Sequence, residues 1–269
     1  MAPPPPVGAG WIERARRLAA NYLPAAALLV ALIVVWEVWV TVRDTPAFVL
    51  PAPSRIWQAF LANRNLLGTH VAVTTFEAVF GLVVGAAIGV VLALIVATWP
   101  LARRVVYPII VASQTVPMII LAPLLVLWFG FGLVPKVVVV ALITFFPVVI
   151  ATVGGLLGAD PELIDLVRSM GGHRADILRH VVVPSAVASF FDGLRIAATY
   201  TVAGAVIAEW TGAQNGLGIY ITRSQASFRV DQVFVAVAIV ALLSTALFGL
   251  IGVLSRIASP WRYQGDPGS

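Results

Sequence analysis

Cysteine is absent from this 269-residue chain, lysine occurs once, histidine three times, and only 11% of the residues are charged. The missing thiols exclude disulfides, thiolate metal sites and cysteine nucleophiles, and they leave the redox compartment open. The single lysine, Lys136, follows Pro135 rather than the glycine of a G-x-x-x-x-G-K-[ST] loop. The chain therefore has no phosphate cradle of that type and cannot hydrolyse ATP by that route. The histidines, His70, His173 and His180, have no metal-spaced partners and no nucleophile beside them, which argues against an intramembrane enzyme.

What the chain has in abundance is apolar surface. Hydrophobic residues make up 60% of it and the mean hydropathy is +0.99, far outside the range of a soluble domain. A hydrocarbon core about 30 Å thick needs roughly 20 apolar residues per helical span. Six runs satisfy this: Leu23–Val42, Thr69–Thr98, Val105–Trp128, Val137–Leu157, Ala186–Thr211 and Val233–Ile257. The bilayer forbids unpaired backbone groups, and the alternation of a barrel strand is missing, so the expected fold is an all-α integral membrane protein.

The basic residues orient it. With the N-terminus in the cytoplasm, eleven of the 17 Arg and Lys residues fall on the inner side and six outside. The positive-inside rule then places both termini in the cytoplasm. The net charge of +5 is spread along helix ends, a pattern that suits anionic lipid rather than nucleic acid.

The expected organisation follows. Residues 1–22, opening MAPPPPVGAG, read as a disordered basic cytoplasmic tail. Residues 23–68 carry the first span and an outer amphipathic segment, 69–257 the core, and 258–269 a cytoplasmic tail. In the outer segment Ser54 is placed to cap a short helix on which Ile56, Trp57, Phe60 and Leu61 share a face.

Between the fourth and fifth spans lies a charged island, Asp160–Pro184. Asp160 suits an N-cap, Pro161 the first helical position, and Glu162 the positive end of the helix dipole. Leu163, Ile164, Leu166, Val167 and Met170 form an apolar stripe before Gly171 and Gly172 end the helix. Asp176 then begins a second short helix that runs to Pro184. A stripe this apolar on an aqueous loop needs a cover, from the spans themselves or from another protein.

The island resembles the cytoplasmic loop of bacterial ABC importer permeases, whose pattern is E-A-A, three residues, Gly, nine residues, I-x-L-P. Here Asp165, Leu166 and Val167 precede Gly171 by that spacing, and Val181, Val183 and Pro184 close it. DLV stands for EAA and V-x-V-P for I-x-L-P. Over residues 50–263 the segments LPAPSRIWQAF, SQTVPMIILAPLLVLWFGFGLVPK, TFFPVVIATVGGL and GLGIYITR are similar to the nitrate, sulfonate and taurine class of these permeases. AEWTGAQNGLGIYITRSQASFRVDQVF and the ending SPW look most like permeases for hydroxymethylpyrimidine, a thiamine precursor, or related heterocycles.

The resemblance implies a type I ABC importer permease, multi-pass in the bacterial cytoplasmic (inner) membrane. It implies two permease subunits, usually identical, forming the path, with an extracytoplasmic solute-binding protein delivering the solute. It also implies cytoplasmic ABC ATPase subunits that carry ATP-Mg, this chain holding no cofactor or metal. The residues coupling to the ATPase would be Asp165, Leu166, Val167, Met170, Gly171, Val181, Val183 and Pro184.

Several residues are candidates for the solute path or for packing. Ser113, Gln114, Thr115 and Met118 surround Pro117, where a helix loses a backbone hydrogen bond and bends. Glu209 and Trp210, at the outer end of the fifth span, offer charge and stacking to a heterocycle; the alternative is an interfacial tryptophan anchoring the helix, with Glu209 exposed or bonded to the following loop. Charges within spans are costly unless paired, so Glu77 is expected to pair within the bundle and Asp192 with Arg195. Gly81, Gly85 and Gly89 recur on one helix face and allow close approach, first of all within the chain. An ion-coupled secondary transporter is the competing class, but no internal repeat supports it.

Overall fold

The computed structural model describes residues 9–262, with side chains from Leu23 onward, and all of its regular structure is helical. Ten α-helices follow one another: α1 (Ala9–Val42), α2 (Pro53–Thr98), α3 (Pro100–Ser113), α4 (Met118–Phe129), α5 (Leu133–Leu157), α6 (Pro161–Ser169), α7 (Arg174–Ile177), α8 (Val183–Glu209), α9 (Leu217–Ala226) and α10 (Val230–Ala258). A π-helical turn, Leu178–Val182, joins α7 to α8, and a 3-10 turn, Pro260–Arg262, follows α10. The tail expected at 1–22 is helical from Ala9. Residues 1–8, and residues 263–269 of the expected C-terminal tail, lie outside the described residues.

Five of these segments are long and apolar enough to cross a membrane: Leu23–Val42, Pro53–Thr98, Leu133–Leu157, Arg174–Glu209 and Val230–Ala258. The sixth expected span is broken, with α3 and α4 meeting at 98° across residues 114–117. Pro117 has no N–H to continue α3, and it caps the new helix instead.

The outer amphipathic segment is not a separate helix. It runs without a break into the second span, giving α2 its 46 residues, about 69 Å at 1.5 Å per residue and more than twice a bilayer's hydrocarbon core. Nor does Ser54 cap it. Ala52 occupies the N-cap, and the cap comes from α1: the Ser54 N–H and hydroxyl donate to the Glu37 carboxylate at 3.0 and 2.7 Å. The Glu37 carboxylate thus lies at the positive end of a neighbouring helix and offsets it.

The centre of the bundle is α2, α5 and α8 in close contact. A Cβ on Gly81 would fall on Val140, on Gly85 it would fall on Thr144, and on Gly89 on Val148. The three glycines therefore mark one seam, α2 against α5, inside a single chain. Gly193 repeats the device on α8, where the Pro147 carbonyl of α5 occupies the space of a side chain. Val140, Val148, Ala197 and Ala198 fill the interior with no exposure.

One expected pair is not formed. Arg262 Nη1 donates to both carboxylate oxygens of Asp192, at 2.8 and 2.7 Å, so the turn after α10 is tied to α8. Arg195 instead places its guanidinium 4.6 Å from the centre of the Phe248 ring on α10. Spacing of three residues allowed an Asp192–Arg195 contact, but each side chain found a tertiary partner that a helical pattern does not reveal.

Candidate functional site

The island folds as its caps require. The Glu162 N–H donates to the Asp160 carboxylate at 2.9 Å, Pro161 opens α6, and Gly171 ends it with φ +81°. That left-handed backbone lets the Gly172 N–H turn back to the Val167 carbonyl at 2.9 Å. Asp165 pairs with Arg168 at 2.9 Å on the open surface. The second helix is shorter than the pattern suggested: after one turn of α7 the chain widens into the π-turn, whose last bond runs from the Val183 N–H to the Leu178 carbonyl. Pro184, which has no N–H, follows at once.

The expected coupling residues divide into two faces. Leu166 and Met170 are exposed, Met170 by 78%, as are their neighbours Leu163 and Leu178, whereas Val181 is buried against this chain. Val167 and Pro184 are half-buried, while Asp165, Gly171 and Val183 are exposed. The apolar stripe is therefore not covered by the membrane spans.

On the membrane side of the loop a central cavity of about 520 Å³ opens between the α3–α4 break, α5 and α8. Gln114 and Met118 line it, together with Phe146, Pro147 and Tyr200. Ser113 and Thr115 do not: their hydroxyls donate to the Ile110 and Ala112 carbonyls at 2.6 and 2.8 Å, backbone groups of α3. Among the described residues, no charged side chain lines the cavity.

Glu209 takes the second of its two expected roles, bonded to the segment that follows it. It has no solvent exposure, and its carboxylate accepts from the Thr74 hydroxyl at 2.6 Å and from the Gly218 N–H at 2.5 Å. Thr74 in turn accepts from the Leu217 N–H at 2.8 Å, and His70 Nδ1 from the Gly216 N–H at 2.9 Å. The first N–H groups of α9, which no intrahelical carbonyl can satisfy, are thus held one by one by His70, Thr74 and Glu209. Gly216 has φ +129°, and a Cβ there would overlap the Glu209 carboxyl. Glu209 leaves no surface for a solute; Trp210 beside it is 44% exposed.

One turn further along α2, Glu77 accepts from Lys136 Nζ of α5 at 2.6 Å, with both side chains nearly buried. Glu77 lies close enough to Glu209 to interact with it electrostatically, so two carboxyls share the neighbourhood of one ammonium.

Sequence reasoning missed His70, Thr74, Phe146 and Tyr200. The first two had a signal. His70, Thr74 and Glu77 stand at helical spacing within an apolar run, and Gly81, Gly85 and Gly89 continue the same face. Phe146 and Tyr200 had none, being ordinary aromatics in apolar spans until the bend at Pro117 exposes them to a cavity.

Comparison with known proteins agrees with this architecture. Residues 85–259 match the family described as binding-protein-dependent transport system inner membrane component. The chain is 37% identical over 232 residues to the formylaminopyrimidine transport permease protein ThiX of Halalkalibacterium halodurans, covering 86% of this chain and 92% of that one. It is 36% identical over 255 residues to the riboflavin transport system permease protein RibX of Chloroflexus aurantiacus, covering 92% and 94%. In fold it is similar to a chain from the crystal structure of an amino acid ABC transporter, with a TM-score of 0.62 at 17% identity over 74% of this chain and 97% of the other.

Proposed function

This chain belongs to the family of binding-protein-dependent transport system inner membrane components, as the permease subunit of an ABC importer, and we propose that its cargo is an uncharged, hydrogen-bonding heterocycle of the hydroxymethylpyrimidine type. The observation that carries the reading is the central cavity. Its polar lining residues are Gln114 and Tyr200, its other walls are aromatic and aliphatic, and among the described residues no charged side chain lines it. An anion such as a sulfonate would shed its water there without a cation to replace it, a cost of at least several kcal/mol. A planar heterocycle meets ring faces at Phe146 and Tyr200 and an amide at Gln114. The family resemblance to a formylaminopyrimidine permease supports the same class.

ATP is hydrolysed on a partner chain, because the subunits of this family are permeases and not themselves enzymes. In our reading the ATPase takes the exposed stripe of Leu163, Leu166 and Met170 into a groove, with Gly171 at the turn. ATP-driven closure of two ATPases then draws two copies of the loop together. Through the π-turn the loop moves α8, and α8 with α5 and the bent α3–α4 pair opens or closes the cavity. Both termini lie in the cytoplasm in this arrangement, and a solute-binding protein delivers cargo to the opposite face.

Uptake of labelled hydroxymethylpyrimidine, with taurine and an alkanesulfonate as comparisons, tests the cargo in a strain lacking this chain and in the same strain complemented. Loss and rescue of pyrimidine uptake alone is the expected result. Loss and rescue of sulfonate uptake instead would overturn the uncharged-cargo reading and leave the permease assignment intact.

A further inference from the structure

A second cavity, of about 630 Å³, lies at the end of the bundle opposite the 160–184 loop, between α2, the start of α5 and the loops that precede α5 and α9. Resting on the cargo reading above, we propose that this cavity is a staging site that holds an uncharged planar heterocycle before it enters the central cavity. Its volume is in the range of small-molecule pockets. Its chemistry is more specific than its size.

Phe131 supplies a ring. It is 78% exposed and flanked by Gly130 and Gly132, both at positive φ, and its edge lies against Gly212, where any side chain would displace it. A ring so placed, exposed between two glycines and lining a cavity, can lie flat on a planar ligand. Lys136 supplies a donor: of its three N–H groups one is committed to Glu77, and the side chain faces the cavity. Gln214 and Asn215 supply two carboxamides. Both are exposed lining residues, and neither side chain has a hydrogen-bond partner among the described residues.

The charge balance selects the ligand. Lys136 is neutralised at 2.6 Å by Glu77, and the buried Glu209 stands behind that pair. The cavity therefore presents donors and acceptors without net positive charge. A sulfonate or nitrate gains little there, whereas a heterocycle with ring nitrogens and an exocyclic amine or hydroxyl can bond the ammonium and both carboxamides at once.

Equilibrium binding of labelled hydroxymethylpyrimidine and taurine to the assembled transporter, together with uptake, tests the site. In Phe131→Ala and in Asn215→Leu the half-saturating pyrimidine concentration should rise by about fivefold or more, the loss of one neutral contact, with maximal uptake retained. Met118→Trp, which fills the central cavity, should abolish uptake while pyrimidine still binds with wild-type affinity. If both outer variants bind and import as the wild type does, and Met118→Trp loses binding, the ligand rests only in the central cavity and the staging site is overturned while the cargo reading stands. A wild-type transporter that binds and imports taurine but not the pyrimidine would overturn both.

Discussion

Glu209, at the end of α8, accepts the backbone N–H of Gly218, at the start of α9, in a fully buried contact of 2.5 Å. A carboxylate at that position satisfies an orphan amide and lies at the positive end of the α9 dipole. With Thr74 and His70 it fixes the loop after α8 to the middle of α2. The loop that borders the second cavity is thereby built as part of the bundle.

Glu209→Gln should destabilise the protein. A carboxamide has one acceptor oxygen for two donors, and its own NH₂ would face either the Gly218 N–H or the Thr74 hydroxyl. The expected loss is about 1–3 kcal/mol, the cost of one unsatisfied buried donor, and Glu209→Ala should cost more. Thermal unfolding of the detergent-solubilised protein, followed by tryptophan fluorescence, reads the change. Wild-type stability combined with altered uptake would assign Glu209 to the solute instead.

Removing Lys136 alone should be far worse than removing its pair. Lys136→Met leaves the Glu77 carboxylate nearly buried beside Glu209 with no cation, a loss of about 3–5 kcal/mol for a broken buried pair. Glu77→Gln combined with Lys136→Met removes both charges and should recover most of that stability. The yield of folded protein from membranes, and a double-mutant cycle on unfolding, compare the three variants. Equal losses in the single and double variants would show that packing, not charge, holds this corner.

The spans, the island and the glycine seam were legible because each rests on a periodic or local signal. Apolar length gives a span, Asp160-Pro161 and Gly171 bracket α6, and Gly81, Gly85 and Gly89 recur every fourth residue. The partners of single polar side chains were not legible. Glu37 caps a helix whose first turn is some 17 residues away, and Asp192 reaches across 70 residues to Arg262. Such contacts are chosen by how helices lie against each other, and no one helix's pattern contains that information. The cavities were hidden for the same reason. Gln114 and Met118 could be suspected from Pro117, but Phe146 and Tyr200 join them only when α3 and α4 bend and α5 and α8 converge.

The α2–α5 seam should tolerate nothing larger than glycine at its middle. A Cβ on Gly85 meets both the Thr144 hydroxyl and the Ala141 carbonyl, the latter at 2.9 Å and part of the backbone. Gly85→Ala must push the helices apart, an overpacking cost of about 1–3 kcal/mol. Thr144→Ala removes the movable half of the clash and should restore part of the loss, because its hydroxyl bonds only the Val140 and Ala141 carbonyls of its own helix. Protease resistance in membranes distinguishes the single from the double variant, and no rescue would place the whole cost on the backbone contact.

Gly171 poses a sharper question, because two causes of failure can be separated there. Its φ of +81° disfavours most side chains, at about 1–2 kcal/mol, yet an added Cβ would meet no atom of the described residues within 4 Å. Asparagine tolerates left-handed backbone better than leucine does, while still carrying a side chain of considerable size. Gly171→Asn should therefore leave the permease folded, but if the turn sits in an ATPase groove it should reduce co-purification with the ATPase and slow uptake. Gly171→Leu should do so more strongly. Loss in Leu with full retention in Asn would place the defect in the turn itself, and normal transport by both would remove Gly171 from the coupling surface. The exposed Leu166 and Met170, which precede the turn on one face of α6, supply an independent arm: Leu166→Glu should weaken ATPase association with no change in turn geometry, since it alters only the face that the partner is expected to cover.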